Sequence, residues 1–314
     1  MEQITALAKE RTPFLFVISY DKSKIFVKPL NQLPNNIFFK IGKYRNYPKI
    51  PINKSYYIKK YPIDFKSYKS ELDRVIEEIK SGNTYLLNLT FKTPIETNLS
   101  LKEIFLYAKA KYKLYFQDNF ICFSPEKFIE IEGDTISTYP MKGTIEAHIP
   151  NAKERILSNS KEMAEHIMIV DLMRNDLGMI ARDVKVERFR YIDKIKAGDK
   201  ELLQVSSKIT ATLSSSWRDN LGEILQKILP AGSITGTPKR KTVEIIDAVE
   251  DYNRDFYTGV FGVFDGNNLY SAVMIRFIEQ KESKLYYKSG GGITIDSGAI
   301  SEYNELIDKI YLPL

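Results

Sequence analysis

Short strand-like segments that follow one another directly limit the folds open to this chain. One set lies at residues 119–140 and another at 256–294, with only turn residues between the segments. Strands joined by so few residues pair antiparallel, because a parallel pair needs a crossover of a dozen or more residues. Helical segments separate the sets, such as an amphipathic one at 68–81 that ends at Gly82. The pattern predicts an α+β fold with antiparallel sheets.

Periodicity and turn residues place the remaining elements. Strands are expected at 14–20, 24–30, 84–92, 183–195 and 201–213, a hairpin turn at 265–268, and helices at 101–111, 161–177, 221–230 and 301–312. Thr237 and Pro238 are expected to cap and start a further helix that ends near Val249. The segment KLYYKSGGGITI at 284–295 is expected to form a pair of strands.

Composition and charge favour a globular protein without a nucleic-acid partner. Hydrophobic residues make up 43% of the 314 residues, and no Pro/Gly/Ser-rich linker divides the chain, so we expect one domain over 1–314. The net charge of +6 raises the question of nucleic-acid binding. However, the 46 basic and 40 acidic residues are interspersed, without an Arg-rich or aromatic-basic stripe.

The sequence also argues against several other classes. There is no run of about 18 apolar residues, so we expect no membrane-spanning helix. The single cysteine, Cys122, rules out an internal disulfide, fits a reducing cytoplasm, and lies in a strand-like run that predicts a core position. Two histidines, without HExxH or a serine elbow, disfavour zinc and triad chemistry. The glycines at 290–292 are not followed by a helix, so they are not a dinucleotide fingerprint.

Two pairs of glutamates are candidate metal ligands. Glu162 and Glu165 lie three residues apart on one expected helix, and Glu302 and Glu305 repeat that spacing on another. Four carboxylates on facing helices would repel one another unless a hard cation such as Mg²⁺ lay between them. The alternative is two solvated helix faces, since Glu305 and Lys309 have the i,i+4 spacing of a surface ion pair.

The sequence PMKGT at 140–144 places Lys142 beside a glycine at a turn. Taken alone, it is typical of a solvated loop lysine. Seven further motifs accompany it in order: FSPEKF (123–128), AEHIMIVDLMRNDLG (164–178), PAGSITGTPK (230–239), FYTGVFG (256–262), IRF (275–277), SGGGIT (289–294) and SEYNELIDK (301–309). Over residues 70–314 the set resembles the chorismate-utilising enzymes, which include anthranilate synthase component I, aminodeoxychorismate synthase component I, isochorismate synthase and salicylate synthase.

This resemblance implies a fold and a metal site. The fold is a sandwich of two large antiparallel sheets with helices outside, as in anthranilate synthase component I, and the active site lies deep between the sheets. Residues 1–65 are then a short variable N-terminal part of the single domain. Glu165 and Glu305 match positions that hold Mg²⁺, which grips the ring carboxylate of chorismate, and Glu162 and Glu302 match supporting positions.

Further residues match positions that contact chorismate. Arg276 matches an arginine that pairs with a carboxylate of the substrate; the alternative is a strand arginine bound to an acidic neighbour. Gly290 and Gly292 match glycines whose backbone N–H groups approach a carboxylate; the alternative is a bulged turn. The remaining matches are Tyr257 beside the arginine, Lys309 near the metal, and the pocket-wall positions Gly143, Thr144 and 232–236.

Glu126 and Lys142 match the catalytic positions of the family. Glu126 matches the general acid that protonates the hydroxyl leaving carbon 4, and burial should raise its pKa. Members that aminate carbon 2 have a small residue where this chain has Lys142, whereas members that make 4-amino-4-deoxychorismate have lysine. The resemblance therefore implies aminodeoxychorismate synthase component I activity, in p-aminobenzoate and folate synthesis. In that reaction Lys142 adds to carbon 2, and ammonia then displaces it by attack at carbon 4.

Two departures from the family pattern bear on the product. Leu86 stands where amino-transferring members usually have glutamine and water-using members a lysine base, which disfavours isochorismate and salicylate synthase. Gln204 stands where many members have a histidine that anthranilate synthase links to pyruvate elimination. Anthranilate synthase component I is the alternative enzyme, and an inactive binding or regulatory homologue is the non-enzyme alternative. The chain has no glutaminase Cys–His pair, so the resemblance implies a separate glutaminase subunit as the source of ammonia.

Overall fold

Two antiparallel β-sheets lie face to face at the centre of the protein. The computed structural model describes residues 1–48, 50, 54–197 and 200–314. Within these ranges each sheet has nine strands. The first sheet contains β1 (Phe14–Ile18), β2 (Ile25–Pro29), β9 (Lys127–Glu132), β10 (Thr135–Thr138), β11 (Met141–Glu146), β12 (Arg182–Ala197), β13 (Lys200–Thr212), β15 (Val260–Phe264) and β16 (Leu269–Val273). The second contains β3 (Ile37–Ile41), β4 (Tyr44–Arg45), β5 (Ile58–Lys60), β6 (Leu86–Thr97), β7 (Tyr112–Phe116), β8 (Phe120–Ser124), β14 (Gly236–Thr237), β17 (Phe277–Lys281) and β18 (Lys284–Ile293).

The strand order brings distant parts of the chain together. In the first sheet it is β11-β13-β10-β9-β16-β15-β1-β2, with β12 also paired to β13. In the second it is β14-β6-β18-β17-β8-β7-β3-β4, with β5 also paired to β6. The pairings are antiparallel, for example β1 with β15 and β18 with β6. These findings confirm the expected α+β sandwich.

Alternation along the strands fills the space between the two sheets. Leu15 and Val17 of β1 pack in one buried cluster with Leu114 of β7, which belongs to the other sheet. The alternate residues Phe14 and Phe16 belong to a different cluster, because successive side chains of a strand point to opposite faces. Both faces of this strand are therefore buried, and helices cover the outer one.

Eight helices in the described ranges lie outside the sheets: α1 (Glu2–Lys9), α2 (Phe65–Lys80), α3 (Leu101–Tyr107), α4 (Ala152–Ser158), α5 (Ser160–Gly178), α6 (Leu221–Ile228), α7 (Lys239–Val249) and α8 (Ala299–Asp308). Helices α1, α5 and α6 cover the first sheet, and α2, α7 and α8 cover the second sheet near β6 and β18. Helix α2 begins three residues before the predicted start, because Asp64 accepts a hydrogen bond from the Ser67 N–H and caps it.

Several sequence predictions need correction. Thr237 does not cap α7: it lies in β14, and Pro238 takes the N-cap position without a side-chain capping bond. The segment 284–295 is not a pair of strands, because β18 stays in register with β6 through its three glycines. Strand β7 and helix α4 were not expected from the sequence.

Two further predictions concern the burial of Cys122 and the presence of membrane-spanning helices. Cys122 is fully buried on β8, which confirms the expected core position. Among the helices of the described residues, none is both long enough and apolar enough to cross a membrane.

Candidate active site

One cavity collects the residues that the sequence motifs single out. Its main part has a volume of about 660 Å³ and is lined by β11, α5, β18 and α8. A smaller part of about 240 Å³ shares ten of its lining residues with the main part. The main part is lined by Lys142, Gly143, Thr144, Glu162, Glu165, Arg276, Gly292, Glu302, Glu305 and Lys309. The smaller part adds Glu126, Tyr257 and Gly290. The structure therefore brings these thirteen predicted site residues together, and their roles stay predictions. Of the segment 232–236, which was also predicted as a pocket wall, only Ser233 and Ile234 line the cavity.

Lys142 lies on a strand rather than at the predicted turn. Strand β11 pairs with β13, and its register shifts between Met141 and Thr144, so the chain bulges at the lysine. Gly143 has a φ of +78°, a conformation that favours glycine. A Cβ at position 143 would also lie 3.2 Å from an oxygen of Glu162. The bulge turns Lys142 towards the cavity, which argues against the alternative of a solvated loop lysine.

The amine of Lys142 is held between two cavity walls. Its Nζ lies 3.4 Å from Oε2 of Glu165 on α5, and the lysine side chain is 20% exposed. On the other side is Gly292 of β18, where a Cβ would lie only 2.9 Å from Nζ. The glycine therefore leaves the space that the amine occupies.

Glu126 follows β8 and lies deep in the smaller part of the cavity. Burial raises the pKa of its carboxyl, although a hydrogen bond from Ser233 and the positive charges of Lys142 and Lys309 act in the opposite direction. A carboxyl with a raised pKa keeps its proton to higher pH than an exposed one, which a general acid requires.

Four carboxylates converge on the main cavity from two helices. Glu162 and Glu165 come from α5, and Glu302 and Glu305 come from α8. Oxygens of the α8 pair would lie 3.6 and 3.7 Å from a Cβ at Gly291, so both face the glycine strand. This placement differs from the alternative of two solvated helix faces.

Lysines neutralise part of this charge. Lys309 lies 2.6 Å from Oε1 of Glu305 and Lys142 lies near Glu165. Burial raises the pKa of Glu305, but Lys309, Lys142 and Arg276 outweigh it and hold the pKa below its usual value. Burial lowers the pKa of Lys309, and the negative charge of Glu305 only partly offsets this effect.

The donor set fits a hard divalent cation in kind, because carboxylate oxygens are the ligands that Mg²⁺ prefers. In the part of the chain that the structure describes, however, no three acidic, histidine or cysteine side chains are grouped closely enough to hold a metal ion. Glu165 and Glu305 would therefore have to exchange their lysine partners for the metal.

Arg276 and Lys309 connect the glycine strand with the end of α8. Arg276 has a φ of +52°, donates to the carbonyl oxygen of Lys309 at 2.9 Å, and lies over the ring of Tyr311. Lys309 donates to the carbonyl oxygen of Gly290 at 2.7 Å. Tyr257 is buried at 3% exposure and lines the smaller part of the cavity. Two cations and a phenol thus surround a space suited to a small carboxylate.

Among the cavity residues that were not singled out from the sequence, two contact predicted site residues. Sequence reasoning treated 232–236 as a pocket wall but did not single out Ser233, whose hydroxyl donates to Glu126. It chose Gly290 and Gly292, but Gly291 is the glycine that faces the α8 carboxylates. The motifs PAGSITG and SGGGIT contain both residues, but only the folded chain shows which side each one faces.

Fold and cavity together define a class of protein: a two-sheet α+β sandwich with a buried acid, a lysine and two glutamate pairs around one cavity. The chain belongs to the chorismate binding enzyme family, whose model matches residues 43–314. This match confirms the resemblance drawn from the sequence motifs.

Similar proteins support the family assignment, but their names refer to different reactions. The chain is 49% identical, over its full length and 96% of the relative, to a Haemophilus influenzae protein named "Uncharacterized PabA-like protein". It is 30% identical to aminodeoxychorismate synthase component 1 of Bacillus subtilis, over 80% of this chain and 55% of the relative. It is also 30% identical to anthranilate synthase component 1 of Archaeoglobus fulgidus, over 77% of this chain and 60% of the relative. The chain thus spans little more than half of these two synthase components.

Solved structures of two proteins share the fold. A Bacillus anthracis structure described as a putative 2,3-dihydroxybenzoate-specific isochorismate synthase superposes with a TM-score of 0.73 at 20% identity, covering 100% of this chain and 87% of that one. Anthranilate synthase component I of Streptococcus pneumoniae superposes with a TM-score of 0.67 at 23% identity, covering 82% and 59%. These likenesses confirm the predicted fold.

Proposed function

We propose that this protein is the chorismate-aminating component of an aminodeoxychorismate synthase, which converts chorismate and ammonia to 4-amino-4-deoxychorismate and water. The observation that supports this best is the amine of Lys142. It faces the same cavity as Glu126 and the two glutamate pairs, and Gly292 leaves room for it. The product would serve p-aminobenzoate and folate synthesis.

The ammonium of Lys142 first loses its proton to solvent, and in the first step the neutral amine then bonds to carbon 2 of chorismate. The ring double bonds shift by one position, the bond between carbon 4 and its hydroxyl breaks, and the oxygen leaves as water with the proton of Glu126. Such a lysine adduct replaces one difficult substitution by two easier ones. In the second step ammonia bonds to carbon 4, the double bonds shift back, and the bond from carbon 2 to Lys142 breaks. The new ammonium returns a proton to Glu126, so atoms and charges balance.

The other residues of the cavity are assigned to binding. Arg276 and Lys309 are proposed to pair with carboxylate groups of chorismate, and the backbone of 290–292 would allow a close approach without side chains. Glu165 and Glu305 are the proposed Mg²⁺ ligands, supported by Glu162 and Glu302. When bound, the metal would neutralise the ring carboxylate of the substrate. The four glutamates would orient that end of the molecule away from Glu126.

The proposal can be tested by product analysis. Purified protein incubated with chorismate, Mg²⁺ and ammonium should yield 4-amino-4-deoxychorismate by mass, with the enolpyruvyl ether intact. It should release no pyruvate and give no anthranilate fluorescence, and p-aminobenzoate should form only after a lyase is added. Anthranilate as the main product would support the alternative enzyme instead.

The role of Lys142 has its own test. Lys142→Ala should lower 4-amination by a factor of about 10³ or more, because the covalent route is lost, and any residual amination should shift towards carbon 2. Lys142→Arg is the matched control, since it keeps the charge next to Glu165 but not the nucleophile. It should be as inactive in 4-amination as the alanine variant. Undiminished 4-amination by either variant would overturn the role of this lysine.

A further inference from the structure

The amine of Lys142 lies in a corner formed by two residues of neighbouring strands. Strand β18 supplies Gly292, and β6 begins at Leu86, one position before Leu87, which pairs with Ile293. A Cβ at position 292 would lie 2.9 Å from Lys142 Nζ and 3.2 Å from Leu86 Cδ1. The amine and the leucine methyl group therefore share the space beside the same glycine.

Leu86 has little freedom to leave this corner. Its side chain is 2% exposed and belongs to the buried cluster that α5 and α6 form with the first sheet. Its carbonyl oxygen accepts a hydrogen bond from Thr84 at 3.1 Å. The same carbonyl lies so close to Gly236 that a Cβ there would come within 1.9 Å of it. Backbone and side chain are thus both held in place.

We propose that Leu86 and Gly292 act together as positioning residues for Lys142. Gly292 provides the space for the amine, and the methyl group of Leu86 bounds the same space on another side. This inference rests on the proposed role of Lys142 as the attacking group. A leucine side chain neither donates nor accepts hydrogen bonds, so Leu86 itself offers no hydrogen-bonding partner to a water molecule beside the amine.

The first experiment measures the position of the amine without chorismate. The protein is treated with trinitrobenzenesulfonate, and labelling of Lys142 is followed by peptide mass spectrometry relative to the exposed Lys66. In Gly292→Ala the new methyl group should push Nζ out of the corner, so the relative labelling rate should rise at least about threefold. Gly291→Ala is the matched control, because its methyl group would face the α8 carboxylates and Lys309 at 3.6 Å or more. Its labelling of Lys142 should equal that of the wild type.

The second experiment is a double-mutant cycle on turnover. Gly292→Ala should lower kcat at least about tenfold, with a smaller change in KM, because the amine is displaced but the binding groups remain. Leu86→Ala should lower kcat about fivefold, since the corner opens to water. In the double variant the new methyl group and the amine share the space that Leu86 vacates, so kcat should recover at least about threefold over Gly292→Ala.

Leu87→Ala controls for a general loss of packing. Leu87 is fully buried on the same strand but belongs to the cluster with α2, α7 and α8. It should leave both the labelling of Lys142 and the kcat of the folded protein unchanged. Unchanged labelling in Gly292→Ala, or a double variant no better than Gly292→Ala, would overturn the proposal. If the wild type forms no product aminated at carbon 4, the proposed function fails, while the labelling comparison still tests the corner.

Discussion

At the scale of single residues, the proposed chemistry asks opposite things of Glu126 and Lys142. The acid must arrive with a proton and the amine must attack without one. Burial supplies the first condition by raising the pKa of Glu126, and it prevails over the attraction of Lys142 and Lys309. Gly292 and Leu86 bound the space around the amine, so they fix its position and not its protonation state. The acid is thus adapted in its pKa and the amine in its position.

Ser233 should tune the pH dependence of the reaction. Its hydroxyl donates to Glu126 and so favours the ionised carboxylate, which lowers the pKa that burial raises. The proposed mechanism needs the protonated form, so the rate should fall as pH rises through the pKa of Glu126. In Ser233→Ala the pKa should rise further, and the alkaline limb of the kcat profile should move to higher pH. Ser233→Thr, which keeps the hydroxyl, should leave the limb in place.

The same experiment needs a reference without the acid. Glu126→Gln should lower kcat by about 10²–10⁴, the usual contribution of a general acid. In this background, Ser233→Ala should not move the alkaline limb of the kcat profile. A shift of the Ser233→Ala limb to lower pH would contradict the assignment of Glu126 as the acid.

The sequence predicted the lining of the cavity better than its internal contacts. Residues such as Lys142 and Arg276 could be selected because a motif gives each one a chemical type at a fixed position. The hydrogen bond of Ser233 to Glu126 joins residues 107 positions apart, and the contact of Lys142 with Gly292 joins β11 to β18. Such contacts depend on strand order, which local patterns do not contain.

At the scale of elements, α5 and α8 each present two carboxylates at the i,i+3 spacing to one cavity. We expect turnover to require Mg²⁺, and we expect Glu165→Gln or Glu305→Gln to weaken Mg²⁺ and chorismate binding together by about tenfold or more. Titration calorimetry with Mg²⁺, in the presence and absence of chorismate, measures both effects. Asp171→Asn, an exposed change on α5, is the matched control and should bind as the wild type does. Full turnover in excess chelator would exclude the metal.

Lys113 is a second element-scale case, because it joins β7 to the end of α3. It is 2% exposed and donates to the carbonyl oxygens of Phe105 and Ala108, which lie at the end of that helix. Burial and the nearby Lys40 lower its pKa to about 7. The unfolded chain, with an ordinary lysine pKa, binds more protons between pH 7 and about 10, so this group makes the free energy of unfolding rise with pH there.

The rise should be about 2 kcal/mol between pH 7 and 9. Lys113→Met removes the titrating group but keeps an unbranched side chain. Urea unfolding measures the free energy of unfolding of both proteins at pH 7 and 9. The increase between the two pH values should be smaller in the variant by this amount. An equal pH dependence in both proteins would contradict a lowered pKa for Lys113.

Element type followed from the sequence where periodicity and turn residues agreed. The neighbouring strands β1 and β2 and the hairpin of β15 with β16 were predicted because apolar runs flank a polar turn. The continuous strand β18 was not predicted, because three glycines are typical of a break, and its pairing with β6 overrides that preference. Lys142 was placed at a turn for the same reason, since a local pattern cannot show that β13 pairs with a bulged strand.

At the scale of the whole molecule, the proposed reaction consumes ammonia, which must come either from this chain or from a separate subunit. A glutaminase of the cysteine type needs an accessible thiolate. The only cysteine in the sequence, Cys122, is fully buried between the sheets, and burial raises the pKa of its thiol. Cys122 is therefore unsuited to be the nucleophile of a cysteine-type glutaminase.

We accordingly expect a separate glutaminase subunit to supply the ammonia. With chorismate and Mg²⁺, the purified chain should form the aminated product from ammonium but not from glutamine, and addition of the glutaminase subunit should restore glutamine use. Amide-¹⁵N glutamine measures this directly, because the label must reach carbon 4 only in the reconstituted mixture. Cys122→Ala should behave as the wild type does in both reactions, since the thiol has no part in them. Incorporation of the label by the chain alone would show that the ammonia is produced within it.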